Sequence, residues 1–389
     1  MPTNIGNSKA KLYLGDIEIS GGGSSLLDNT ITFKSDNVDY AINSVASGNT
    51  IQAPTQPTKS GNVFKGWENS SQQVVTFPYT PTLASEDLNA KWQPASKAVV
   101  SGLGSSSPSS VTFNVDASFN FNFEEVTKDG NVFIKIPTMY RKVNSSNNGQ
   151  ITGYTLSDAK LDNTYEPYPC FVKEDGTSVM DYILIGKYMS SSTTVMNSVN
   201  ATYASQTLEN ARTNVNQMDA GYQLYDWQIH KLFQDLVCCF KKTINTNDGT
   251  GFDEILGIAH QKNGLWIDGV AAPSSGNNWL FSEKPSKYID QPSSSSDGYY
   301  QVNYSRPTSD GEVSALGYDT THSFANFPKS VTTNSSYNTY YCDGYYYGSG
   351  SRPVYCFVGS AYAYVGVFRC DASDDWSYTY GVRLCFRPL

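Results

Sequence analysis

Residues 340–389 read YYCDGYYYGSGSRPVYCFVGSAYAYVGVFRCDASDDWSYTYGVRLCFRPL. Short apolar pegs stand in this stretch at Val354, Val358, Val365 to Phe368 and Val382 to Phe386. Their β-branched and aromatic character is that of strands. Between the pegs, as in Asp371–Tyr380, the chain is polar and aromatic at once, which is poor core material. Two readings follow from composition. Tyr offers rigid contact area and Ser and Gly offer adaptable hydrogen bonds, the make-up of a paratope. The same residues also suit a β-rich domain with a tyrosine-heavy surface.

The 389 residues are enough for two or three domains with their own cores. Only 16% of residues are charged, and Tyr, at 28, is the outlier. Such a chain reads as a β- and loop-rich exported or virion protein. Its formal net charge of −9 leaves no basic stripe for nucleic acid or for an anionic membrane surface. No apolar run approaches the length of a spanning helix, so no membrane insertion is expected. The opening MPTNIGNSKAKLYLGDIEIS has no apolar signal region. The expectation is export inside an assembled particle, the virion, after synthesis in the host cytoplasm. The seven Cys lack CxxC or metal spacing, and Cys238–Cys239 sit in an apolar helical run as core thiols.

The chain divides into four stretches. Residues 1–28 are a short N-terminal segment with a partly alternating Lys11–Ile19, whose Tyr13-Leu-Gly15 phrase resembles the openings of phage tail and baseplate proteins, a resemblance that implies docking on the virion. Residues 29–93 form a separate small unit with a strand at Thr30–Phe33, the phrase Pro54-Thr-Gln-Pro57-Thr-Lys-Ser-Gly61-Asn-Val-Phe64-Lys-Gly66-Trp67, and Leu88-Asn-Ala-Lys91-Trp92 at its end. Phe64, Trp67 and Trp92 are expected to build its miniature core. Residues 94–110 are Ser-, Gly- and Pro-rich and read as a linker. Residues 111–389 form the head.

In the head, Asn131–Val143 is a buried strand run interrupted by Pro137, and Tyr182–Tyr188 is a second. Between Gly221 and Phe240, apolar residues recur in steps of three and four (Leu224, Trp227, Ile229, Leu232, Phe233, Leu236, Val237), which predicts an amphipathic helix with Asp226 near its start.

The 29–93 unit resembles the internalin-type B repeat, a β-grasp-like module with the pattern P-x-x-P-T-K-x-G-x-x-F-x-G-W…L-x-A-K-W. In that family it is a spacer or adhesion arm of surface proteins. The head resembles the C-type lectin fold of the formylglycine-generating-enzyme type, as found in phage tail adhesins. The resemblance rests on V-F-I-K-I-P-x-x-Y from Val132, G-Y-x-L-x-D-W-Q (Gly221–Gln228), L-W-I-D-G (Leu265–Gly269), and G-V-F with G-V-R-L-C-F (Gly366–Phe368, Gly381–Phe386). It implies an α+β fold, a C-type-lectin-like C-terminal domain behind a β-grasp-like repeat.

The related oxidase chemistry needs a close reactive Cys pair in the final segment. Cys356, Cys370 and Cys385 are too widely spaced, and His230, His260 and His322 lack catalytic or metal spacing. The E-P-N and W-N-D calcium motifs of lectins are absent. The expectation is therefore no enzyme, no metal and no cofactor. The ending also resembles the variable proteins of diversity-generating retroelements, in which adenine-directed mutagenesis exchanges Tyr, Ser, Asp, Ala, Gly and Phe at chosen codons. The variable region would span about 340–389. The resemblance implies ligand contacts at Tyr355, Phe357, Ser360, Ala361, Tyr362, Tyr364, Arg369, Asp371, Ser373, Asp374, Asp375, Trp376, Tyr378 and Tyr380. Trp376, Tyr378, Tyr380 and Tyr362, aromatic and flanked by small polar residues, are the natural hot spots. Arg383 is expected as a structural anchor. Implied partners are a host cell-surface protein or glycan and other virion tail proteins, with a homotrimer as the assembly common among tail adhesins. A static tail or baseplate protein and a bacterial surface adhesin are the rival functions.

Overall fold

The computed structural model describes residues 13–14, 17–18, 28–104, 110–202, 204–244, 254–259, 263–272, 278–289, 292–293, 295–332, 344–346, 352–358, 367–370 and 381–388. It divides into two compact units, Met1–Lys59 with Val63–Gln93, and Ser60–Asn62 with Pro94–Leu389.

The first unit is a four-stranded sheet in the order Val38–Ala46, Asp28–Ser35, Ser85–Pro94, Asn62–Glu68, its central pair parallel. Asp28–Ser35 alternates, so Ile31 and Phe33 are fully buried while Thr30 and Thr32 are not. Asp36 and Asn37 turn the hairpin with φ of 53° and 65°, the left-handed pair that suits two-residue hairpin loops. The core is small and aromatic: Trp67 lies edge-on to Phe33 at 4.9 Å and to Phe64 at 5.3 Å, and Phe64 meets Trp92 at 5.7 Å. Gly66 has φ +120° and lies so close to Val74 that a Cβ there would stand 2.7 Å from a methyl carbon, which is why the F-K-G-W phrase needs glycine. No helix packs on this sheet among the described residues.

The second unit is built mainly of three sheets. One has the order Tyr222–Leu224, Arg383–Phe386, Tyr182–Met189, Asn131–Pro137, Glu124–Lys128. Another runs Glu166–Pro167, Tyr140–Asn147, Gln150–Ser157, Lys97–Ser101, Thr112–Val115. The eight-stranded third runs Tyr299–Ser305, Asn278–Ser282, Asn263–Ala272, Arg352–Val358, Val367–Cys370, Gly344–Tyr346, Gly311–Leu316, Pro328–Thr332.

Helix α1 is Leu208–Val215 and helix α2 is Trp227–Lys241. The side chain of Asp226 caps α2 by accepting from the Ile229 amide at 2.9 Å, and Lys242 closes it in the left-handed conformation. Nearly every residue of α2 is buried, Gln228, His230, Lys231, Gln234 and Asp235 included.

Two sequence expectations are corrected here. The chain is mostly strand, β-sandwich-like, with two α-helices among the described residues, and not the expected α+β, C-type-lectin-like fold. The sequence motifs locate one real helix, but that helix is enclosed by sheets and forms no helical layer of its own. The stretch expected as a linker also contributes structure. Lys97–Ser101 is a strand paired on both sides, with Ala98 and Val100 fully buried, a two-residue period hidden in a Ser- and Gly-rich background.

Candidate binding face

Strands Arg352–Val358 and Val367–Cys370 lie side by side in the eight-stranded sheet, antiparallel, with Tyr355 opposite Arg369 and Phe357 opposite Val367. On the other edge of Arg352–Val358, Trp266 is the register partner of Tyr355 and Leu265 that of Cys356. Tyr345 pairs with Phe368. Strand alternation therefore places positions 355, 357, 367 and 369 on the side of Trp266, and positions 356 and 368 on the side of Leu265 and Tyr345.

The two sides differ. Leu265 and Tyr345 belong to the main core, where the buried Tyr345 hydroxyl donates to Pro307 O at 3.1 Å. Trp266 belongs to a second, smaller cluster with Phe133, Leu184, Met196, Leu208 and Leu384. Three expected contacts, Tyr355, Phe357 and Arg369, thus stand at positions on the Trp266 side of the sheet. The others, Ser360, Ala361, Tyr362, Tyr364, Asp371, Ser373, Asp374, Asp375, Trp376, Tyr378 and Tyr380, lie outside the described residues.

The strand that follows this region is anchored by Arg383. It is buried and donates from Nη1 to Gly186 O at 2.6 Å and Lys187 O at 2.8 Å, and from Nη2 to Ala259 O at 2.9 Å. The sequence anticipated an anchor; the acceptors are backbone carbonyls, and a guanidinium reaches several at once where an ammonium would not. Trp266 N donates to Gly381 O at 3.1 Å, fixing the residue that follows Tyr380.

Beneath this frame lies a polar knot. Asp226 accepts from Arg387 Nη2 at 2.6 Å, Tyr288 Oη at 2.9 Å and Gln223 Nε2 at 3.1 Å. Burial raises the Asp226 carboxyl above its usual range, with Arg387 opposing. Burial also pushes the Cys385 thiol up to about 12, so it is held protonated. Cys170 and Cys239 are driven higher by the same cause.

A second buried group was not anticipated. Asp235 lies 2.7 Å from Lys231 Nζ, 2.7 Å from Tyr168 Oη and 3.3 Å from Arg141 Nε. Arg141 also donates to Asn326 Oδ1 at 2.7 Å and lies over the Tyr154 ring at 4.8 Å. The available signal was Lys231 and Asp235 four residues apart inside an apolar helical run. His230 is buried with Nδ1 3.1 Å from Tyr225 Oη, and burial followed by the Lys231 charge depresses it to about 3. These contacts tie α2 to the sheets. Among the described residues no three His, Cys, Asp or Glu gather as a metal site, and no helix is long and apolar enough to cross a membrane.

Comparison with known proteins adds one finding. Residues 30–91 match the Listeria-Bacteroides repeat domain, a repeat of bacterial surface proteins. The match covers the aromatic unit and leaves the head unassigned. No curated protein matches the chain.

Proposed function

We propose that this is a non-enzymatic receptor-binding protein of a phage tail, whose C-terminal face is diversified by a retroelement and attaches the particle to varied host-surface ligands. The observation that carries the reading is the register of the last strands: expected contact positions 355, 357 and 369 share the Trp266 side of the sheet, while positions 356 and 368 share the side of Leu265 and Tyr345. In this reading the residues at the diversified positions can change at little cost to the frame that Arg383 and Trp266 hold. The repeat module is the spacer in this reading, and residues 1–28 dock on other tail proteins.

Alanine at Trp376 and Tyr378 tests it. Normal particle assembly with lost adsorption to host cells is the expected result; failed assembly would make the protein a static tail component. Natural variants of the gene should also differ between codons 355 and 380 and agree elsewhere. A second reading, a bacterial surface adhesin, is favoured by the surface-protein repeat at residues 30–91. Fractionation separates the two, since an adhesin is recovered with the cell envelope and a tail protein with purified particles.

A further inference from the structure

Strand Tyr299–Ser305 is the outer strand of the eight-stranded sheet, and Tyr300 is the register partner of Phe281 on its neighbour. Phe281 is fully buried in the main core, whereas Tyr300 is 42% exposed. His322 touches both rings: it meets Tyr300 at 4.9 Å, tilted by 42°, and Phe281 edge-on at 5.0 Å. The aromatic core thus reaches the surface at Tyr300. Glu283, whose side chain is half exposed, holds His322 Nδ1 at 2.9 Å. A carboxylate can only accept, so Nδ1 carries the hydrogen and Nε2 of the neutral ring is an acceptor. Among the described residues neither His322 Nε2 nor Glu283 Oε2 has a hydrogen-bond partner.

The group is held in place from behind. Trp227 Nε1 donates to Ser282 O at 2.7 Å and Gln228 Nε2 to Glu283 O at 2.8 Å, so the start of α2 fixes the backbone that bears the carboxylate. Asp319 accepts from the Asn303 amide at 3.0 Å and the Thr321 amide at 2.9 Å, tying the turn before His322 to the strand of Tyr300. On the other side of His322, Ser323 Oγ donates to Glu166 Oε2 at 2.7 Å. Side chains supported in this way lose little freedom when a ligand arrives.

We propose that Tyr300, His322 and Glu283 form a saccharide site that takes one pyranose ring. The chemistry selects the ligand. The face of an aromatic ring is electron-rich and attracts the C–H groups that line one side of a sugar. Glu283 Oε2 and His322 Nε2 supply acceptors for its hydroxyls, the carboxylate making the stronger, charge-assisted bond. An anion is repelled by Glu283, and a quaternary ammonium ion calls for aromatic faces on several sides. None of the three residues is a diversified position, and the inference does not rest on the receptor-binding reading. Where that reading holds, the site is a constant glycan contact.

Saturation-transfer NMR on the full-length protein tests the site. The probes are the methyl glycosides of glucose, galactose, mannose and N-acetylglucosamine, with tetramethylammonium as the rival cation. A single small exposed site should hold its ligand at about 1 mM. At least one glycoside should take up saturation at its C–H groups. Tyr300→Phe keeps the ring and should bind like the parent, while Tyr300→Ala should weaken binding about tenfold. Glu283→Gln, an isosteric change of a half-exposed group, should do the same without disturbing the core. Gln301→Ala, on the opposite face of the strand, should change nothing. Saturation of no glycoside, or parent-like binding by both Tyr300→Ala and Glu283→Gln, would overturn the site. A response to tetramethylammonium alone would overturn the saccharide. Adsorption by particles carrying Trp376→Ala tests the receptor-binding reading separately, so either can fail while the other stands.

Discussion

The repeat module and the head solve the same problem with opposite chemistry. In the module, a short mixed sheet closes over Ile31, Phe33, Trp67 and Leu88, and its ion pairs, such as Lys34–Asp87, stand on the surface. In the head, a helix enclosed by sheets carries Lys231 and Asp235 into the interior, where Tyr168 donates a hydrogen bond to Asp235 and Arg141 pairs with its charge. A small sheet can bury only one face, so its polar groups remain in water. A helix covered on all sides has no solvent face, and its polar residues must find partners inside. A sequence motif can therefore specify the first kind of unit, while the second needs residues from distant strands.

Three substitutions probe this contrast, taken from the largest effect to the smallest. Asp235→Ala leaves Arg141 and Lys231 as buried cations without their shared carboxylate, and should cost about 4 kcal/mol of head stability in urea unfolding. A loss under 1 kcal/mol would mean that the knot contributes little and that the two units are more alike than argued. Trp67→Ala removes the centre of the module's aromatic core and should cost about 3 kcal/mol. By calorimetry the module's transition should vanish or shift down while the head's stays in place. A joint shift would show that the two melt as one.

The third substitution concerns pH. His230 is held near 3, below its ordinary value, so the unfolded chain takes up this proton first as acid is added. The contribution is complete above the unfolded value near pH 6.5 and is lost as pH falls toward 3, by up to about 1.4 kcal/mol per pH unit. His230→Gln should flatten the head's stability profile between pH 6 and 4 and leave the module's untouched. An unchanged slope would reassign the acid sensitivity to other groups.

Much of the local structure was legible. The three- and four-residue period with Asp226 ahead of it located α2, which begins at Trp227 under an Asp226 cap. Asn131–Pro137 and Tyr182–Met189 are strands where runs of apolar and β-branched residues stood. Lys97–Ser101 was missed because its alternation is short and its neighbours are Ser and Gly. The fold class was missed for a related reason. Motifs in sequence order report elements, and whether a helix forms a layer or is enclosed by sheets depends on what packs on its second face.

The sequence by itself determined the aromatic repeat unit and the position and cap of the buried helix. These are near-neighbour properties: side-chain period, cap chemistry and turn preference act within a few residues. Only the tertiary structure decided that Asp235 joins Lys231 to Arg141, that Arg383 binds three backbone carbonyls, and that position 355 pairs with Trp266. Those relations join residues up to 197 positions apart. They exist because burial forces each polar group to find a partner wherever the chain returns, and no local pattern records where that will be.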